Sequence, residues 1–301
     1  MATLYTQQDK NVRRTWLLMA LFLVIIVAIG WFVSYYYNSP AILIFAVVFS
    51  VVMNVVSYWY SDKISLSLAG AKPATRDQYP ELYRVVENLS ITAGLPKPAL
   101  YVIPDAAPNA FATGRNKEHA AVAVTSGLLG MMNTNELSGV LAHELSHIGN
   151  RDTLLQTVVV VLVGMIAILA NIFTRSSWLG GGSRGNSREG NNPLAAALAI
   201  AGIIFVILSP IIAKLIQLAI SRKREFLADA DGALLTRYPE GLASALEKIA
   251  AYGAPLQHAN NATAHLYISN PFGSKAVAGL SKLFMTHPPT AERIAILRGM
   301  E

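Results

Sequence analysis

The sequence contains no cysteine, which excludes disulfides and thiolate metal ligands and leaves nitrogen and oxygen donors only. That donor set suits a catalytic zinc better than a structural one, and an absence of cysteine is compatible with either redox environment. Charge is scarce as well. Asp, Glu, Lys and Arg make up 14% of the 301 residues against 53% hydrophobic, a balance too apolar for an ordinary soluble domain. The net charge of +6 needs no nucleic acid to explain it, because basic residues facing an anionic leaflet account for it.

The hydropathy is segmental. Trp16 to Tyr37 and Ala41 to Tyr60 carry no charge, Leu154 to Phe173 is a third apolar run, and Leu194 to Ile220 is a fourth, interrupted by Pro210 and Lys214. Each reaches the ~20 residues that cross about 30 Å of hydrocarbon, so the expectation is four membrane helices. Lys214, near the end of its run, can snorkel towards headgroups. The first run follows Lys10, Arg13 and Arg14 but is too long for a signal peptide and has no small-residue cleavage site. A second run begins after Asn38-Ser39-Pro40, so the pair reads as a tight hairpin. Lys plus Arg number 3 in the amino-terminal tail, 8 from Ser61 to Thr153, 9 after Ile220 and 3 in the loop from Thr174 to Pro193. By the positive-inside rule both termini and the middle segment lie in the cytosol.

Within the middle segment stands His143-Glu144-Leu145-Ser146-His147. Residues i and i+4 of a helix share a face, so two imidazoles converge on one ion, and a carboxylate at i+1 can hold and deprotonate a water on it. This is the pattern of a zinc peptidase. Leu137, Val140, Leu141, Leu145 and Ile148 recur at threes and fours, and Thr134 or Asn135 can cap the start, so the motif lies on an amphipathic helix.

A tetrahedral catalytic zinc takes three protein ligands and an open position. The metzincin solution fails, since Asn150 and Thr153 stand where its glycine and third histidine belong. The better candidate is Glu225 in Ser221-Arg222-Lys223-Arg224-Glu225-Phe226-Leu227-Ala228-Asp229. Glu225 and Asp229 are i and i+4, so one can bind metal while the other orients a ligand histidine. The motif ends shortly before the third apolar run and Glu225 follows shortly after the fourth, so a membrane hairpin returns both to one face. At 1.5 Å rise per residue each lies within roughly 10 Å of the bilayer boundary. Glu240 and Glu247 follow a turn at Tyr238-Pro239 and lack that register.

With these residues assembled, the chain resembles the HtpX-type membrane metallopeptidases, relatives of the CAAX prenyl endopeptidases within the gluzincins. The resemblance rests on Pro108-Asn109-Ala110-Phe111-Ala112-Thr113-Gly114, the histidine motif with Asn150-Arg151-Asp152, the stretch Ser221 to Asp229, and Thr286-His287-Pro288-Pro289. It implies a bacterial inner-membrane, zinc-dependent endopeptidase in quality control of membrane proteins, induced by envelope or heat stress. It implies one zinc held by His143, His147 and Glu225, with Glu144 as general base, polypeptide substrates and a lipid bilayer as partners, and no nucleic acid.

The expected fold is a mainly α membrane protein, four transmembrane helices with a cytosolic zincin-like domain containing a small β-sheet. Residues 1–60 form the tail and first hairpin, 61–153 the first part of the peptidase domain, 154–220 the second hairpin and 221–301 the remainder. Ala99 to Ile103 and Ala120 to Thr125 read as strands. The edge at Asn109, Ala110, Phe111 and Ala112 could bind substrate as an added strand, a role the resemblance assigns to it, and Phe111 is equally a core side chain. His287 is expected near the zinc, as oxyanion stabiliser or removable fourth ligand, with a turn ahead of the last helix as the plain alternative. Arg222 is a second oxyanion candidate. His119, His258 and His265 read as surface loop. Gly180 to Gly190 is a flexible linker, and Ala254 to Ser274 reads as a lid. An intramembrane peptidase is disfavoured by the polar Gly149-Asn150-Arg151-Asp152. The competing function is a non-proteolytic membrane adaptor or chaperone with a vestigial zinc site, against which the intact Glu144 stands.

Overall fold

The structure is a computed structural model and describes residues 4–164, 221–260, 262–273 and 288–300. It is mostly helical, with one four-stranded sheet. Helix α1 (Leu4–Tyr37) and helix α2 (Pro40–Leu68) form an antiparallel hairpin. The turn follows from its residues: Asn38 takes a left-handed φ of 49°, which asparagine tolerates, and Pro40 opens α2 where its missing N–H costs nothing. Both helices are long and apolar enough to cross a membrane. Only 22% and 28% of their most apolar windows are buried, so neither is the core helix of a soluble protein. Val24, Trp31, Ile44 and Phe45 instead stand exposed, the arrangement expected of lipid-facing side chains.

The sheet runs β1-β2-β4-β3, with β1 at Lys72–Pro73, β2 at Ala99–Ile103, β3 at Ala110–Gly114 and β4 at Ala120–Thr125. Strands β2 and β4 are parallel and the other pairs antiparallel, with Ala110 opposite Val124 and Ala112 opposite Val122. Both expected strands appear with their expected bounds. The central strand β4 is buried throughout because both faces are covered. Ala120, Val122 and Val124 face helix α3 (Pro80–Ala93) and helix α5 (Thr134–Gly149), while Ala121 and Ala123 face the helix that follows the histidine motif. Strand β3 is the edge nearest α5.

A short helix α4 (Ser126–Met131) leads into α5. The cap of α5 is Asn133, one residue ahead of the expected Thr134 or Asn135: its side chain accepts from the Glu136 N–H, and the Glu136 carboxylate accepts from the Asn133 N–H. Reciprocal capping needs a glutamate three residues on, and only Asn133 has one. The five apolar positions expected to face inward are all buried.

The third apolar run begins as helix α6 (Asp152–Gly164), separated from α5 by Arg151 at φ 56°. Leu155, Val158, Val159 and Leu162 are fully buried against the hairpin and the sheet. This part of the run is therefore packed on protein rather than facing lipid. The rest of it, the fourth run and the Gly180 to Gly190 linker lie outside the described residues, so two membrane-type helices are seen where four were expected. After them come α7 (Arg222–Thr236), α8 (Pro239–Tyr252) and α9 (Thr290–Arg298).

Helices α5 and α7 approach closely because Gly232 has no side chain. A Cβ there would meet the His143 backbone nitrogen at 3.0 Å, a contact that makes the neighbouring backbone give way. Gly232→Val should lower the thermal midpoint in detergent, by overpacking worth about 1–3 kcal/mol, and weaken metal retention with it. A variant as stable as the parent would contradict this contact.

Candidate metal centre

Helix α5 puts His143 and His147 one turn apart on its buried face, and α7 crosses it to bring Glu225 opposite. The Nε2 atoms of the two imidazoles are 3.2 Å apart. Glu225 Oε2 lies 3.8 Å from His143 Nε2, and Oε1 lies 3.7 Å from His147 Nε2. One potential ligand atom from each residue falls within 4.8 Å of the others, and all three residues are buried. This is the only such group of histidines and carboxylates that could hold a metal ion among the described residues.

What surrounds the imidazoles fixes which nitrogen faces inward. His143 Nδ1 is 2.9 Å from Asp229 Oδ1, and His147 Nδ1 is 3.1 Å from Asp152 Oδ2. An ionised carboxylate only accepts, so each Nδ1 carries the proton and each Nε2 presents a lone pair. Two lone pairs facing each other at 3.2 Å repel unless a cation lies between them. A proton on His147 is the smallest such cation. Burial opposes it, but the carboxylates of Asp152, Glu225 and Glu144 outweigh burial and lift the His147 pKa to about 9. His143 falls to about 4, chiefly through burial, with Arg293 and His147 disfavouring a second positive charge. A divalent metal meets the same requirement with both imidazoles neutral, and the nitrogen-oxygen donor set fits one.

The orienting carboxylates are themselves held. Arg293 of α9 grips Asp229 with two parallel bonds, Nε to Oδ2 at 2.8 Å and Nη2 to Oδ1 at 2.7 Å, and donates Nη1 to the Ile268 carbonyl at 3.0 Å. Burial would raise the Asp229 pKa, yet Arg293 and His143 pull it down to about 2, which keeps it an acceptor. Asp152 receives Asn11 Nδ2 at 2.7 Å and lies 3.3 Å from Arg224 Nε. Sequence reading identified Asp229 but missed Arg293, Arg224, Asn11 and the role of Asp152. The polar tetrapeptide after the motif was the available signal for Asp152.

Glu144 sits beside the cluster on α5. The main-chain N–H of Ala112 on β3 favours its ionised form, while Oε1 is buried without a hydrogen-bond partner. Burial, reinforced by Glu225 and opposed by His147, lifts its pKa to about 7. A buried carboxylate with an unused oxygen is placed to hold a water between itself and a metal ion.

The other expected residues fall variously. On β3, alternation sends Phe111 to the far face, where it packs edge-on to Tyr267 at 5.1 Å, so this side chain belongs to the core. Ala110 and Ala112 turn their main-chain groups to the open edge. There the Ile268 N–H donates to the Ala110 carbonyl at 2.9 Å, and Asn109 Nδ2 donates to the Ser269 carbonyl at 3.0 Å. The described part of the expected lid is thus laid along the edge strand. Arg222 is exposed as the first residue of α7, ahead of the buried face that starts at Arg224, so the structure does not bring it to the cluster. His287 lies outside the described residues. His265, expected on the surface, is buried with Nε2 3.0 Å from the Gln156 carbonyl oxygen, because the segment that carries it packs on α6. His119 and His258 are exposed as expected. Glu240 and Glu247 pair with Arg298 on the surface, away from the imidazoles.

A buried imidazole pair, a facing carboxylate and an adjoining acid on a membrane-type protein define a membrane metallohydrolase of the His-Glu-x-x-His class. Residues 76–301 match the model of peptidase family M48. A protease HtpX homolog of Caldanaerobacter subterraneus subsp. tengcongensis is 48% identical over 300 residues, spanning 99% of this chain and 98% of that protein. A protease HtpX homolog of Pyrococcus furiosus is also 48% identical, over 287 residues, spanning 95% of this chain and 94% of that one. Among solved structures, S. mikatae Ste24p is 20% identical with a TM-score of 0.46, covering 93% of this chain and 62% of that one. The chain belongs to peptidase family M48 and is a metalloprotease that hydrolyses peptide bonds.

Replacing Asp229 with Asn keeps the size and a hydrogen-bond partner for Arg293 but removes the charge that orients His143. Metal affinity should fall about 10–100-fold, read by competition with a chromogenic chelator. Unchanged affinity would contradict the orienting role.

Proposed function

We propose that the chain is a zinc-dependent endopeptidase of the bacterial inner membrane, with four membrane helices and with both termini and the metal centre on the cytosolic side. Its substrates are misfolded or damaged membrane proteins, and some cytosolic ones, during envelope or heat stress. The observation that carries the catalytic reading is the pair of Nε2 atoms held 3.2 Å apart by their carboxylates with Glu225 facing both. His143, His147 and Glu225 would hold one zinc. When bound, that ion supplies Lewis acidity that lowers the pKa of a water towards neutrality.

The chain's own residues supply the proton traffic. Glu144, with Oε1 turned to no protein partner, takes a proton from the attacking water as it adds to the scissile carbonyl and returns it to the leaving amine. No acyl-enzyme forms. Substrate presents itself as a strand added to β3 at Asn109 to Ala112, which requires Ile268 and Ser269 to withdraw. Main-chain pairing at an edge reads backbone rather than side chains, which suits a degradative enzyme with broad sequence tolerance. His287, which lies outside the described residues, is assigned a role in steadying the oxyanion or closing the site by the stretch Thr286-His287-Pro288-Pro289.

The cytosolic orientation is supported by the bias of Lys and Arg to the segments that flank the apolar runs. Membrane proteins as substrates are supported by where the site stands: Asn11, five residues before the first apolar run, is within hydrogen-bond distance of Asp152. A non-proteolytic adaptor has no use for a buried acid such as Glu144.

Glu144→Gln should keep zinc and lose cleavage of a denatured substrate by about 10²–10⁴-fold, the usual weight of general-base catalysis. His143→Ala should lose both. Full proteolysis by the first variant would defeat the assignment of Glu144.

A further inference from the structure

The amino-terminal helix does more than enter the membrane. Asn11 is 1% exposed although it lies seven residues into a helix whose apolar run starts only at Trp16. Its Nδ2 donates to Asp152 Oδ1 at 2.7 Å and to the Asn150 carbonyl at 3.1 Å, and its Oδ1 accepts from Arg224 Nη1 at 3.5 Å. One turn earlier on the same face, Gln8 Nε2 donates to the Gly149 carbonyl at 2.7 Å. The last carbonyls of the metal helix α5 have no partner within their own helix. Here amide side chains from α1 satisfy two carbonyls at that end, some 140 residues away in sequence.

Asp152 links this contact to the chemistry. One oxygen takes Asn11, and the other holds His147 Nδ1 at 3.1 Å. Asp152 is also the first residue of α6, so it stands at the joint between the metal helix and the third apolar run. The Asn11 amide donates to Asp152 through Nδ2 and accepts from Arg224 through Oδ1 at once. A carboxylate at position 11 would repel Asp152, and an apolar group would strip Asp152 Oδ1 of its amide donor at 2.7 Å and leave it the Arg224 guanidinium at 3.3 Å.

We propose that Asn11 is a positioning residue of the metal centre: through Asp152 it fixes the ring of His147, so that the first membrane-type helix sets part of the metal affinity. The inference rests on the reading of His143, His147 and Glu225 as the metal site. It predicts that an intact catalytic motif binds metal poorly when α1 is altered at one buried amide outside the peptidase domain.

The test uses the full-length chain in detergent, with zinc affinity measured by chelator competition and the visible spectrum recorded after cobalt(II) loading. Asn11→Leu should lower zinc affinity about 10–100-fold, the usual effect of losing a group that orients a ligand, and should shift the cobalt bands. Asn11→Asp should be worse still. Thr15→Val, on the same buried helix face but bonded only to the Asn11 carbonyl of its own helix, should leave both readouts unchanged. Thermal melts with and without zinc separate positioning from simple packing. A packing defect lowers both midpoints equally, whereas a positioning defect shrinks the increment that zinc adds. If Asn11→Leu does not accumulate as folded protein, Asn11→Ser is measured in its place with the same expectation. Parental zinc affinity and cobalt spectrum in a folded Asn11 variant would overturn the proposal. Retention of zinc by His147→Ala would instead overturn the metal-site reading beneath it.

Discussion

Two buried carboxylates, each taking the Nδ1 proton of one histidine, govern this protein. Because Asp229 and Asp152 fix the outward edges of the rings, both inward nitrogens must present lone pairs to one point. That arrangement favours a positive charge between the rings, and Glu225 adds negative charge facing both. The rise of His147 to about 9 expresses the same demand. Much of the surrounding structure keeps these carboxylates ionised and still. Arg293 clamps one from the last helix, while Asn11 and Arg224 hold the other from the first helix and from α7. Contacts from both ends of the chain therefore meet at a site whose ligands come from the middle.

The fold serves that site by burying α5 without a break from Gly139 to Ile148. The sheet covers one side through the alternating residues of β4, and α7 and α8 cover others, with Gly232 admitting α7 to contact distance of His143. Strand β3 then runs past Glu144, and the Ala112 N–H favours the ionised form of that acid. The direct passage from α5 through Arg151 into α6 places the centre at the start of the third apolar run.

Legibility in the sequence followed the range of the interactions. The histidine spacing, the apolar stripe of α5 and the runs of α1 and α2 are local patterns of period 3.6 or simple length, and each was readable directly. Glu225 was readable because Asp229 stands one turn beyond it. The clamp on Asp229 was not, since Arg293 comes from 64 residues away with nothing in Thr290 to Arg298 to mark it. Asn11 was hidden for the same reason, 141 residues from Asp152, and looked like tail. Phe111 could not be assigned to core or edge until the register of β3 fixed its face. His265 was misplaced to the surface because burial there comes from tertiary packing on α6.

The claim that two imidazoles and one carboxylate share a single ion is tested most directly by zinc K-edge absorption on the chain purified without chelator. One zinc per chain with two imidazole nitrogens and carboxylate or water oxygen at about 2.0–2.2 Å is the predicted result, with the zinc lost in Glu225→Ala. A spectrum and stoichiometry unchanged by that substitution would contradict the account.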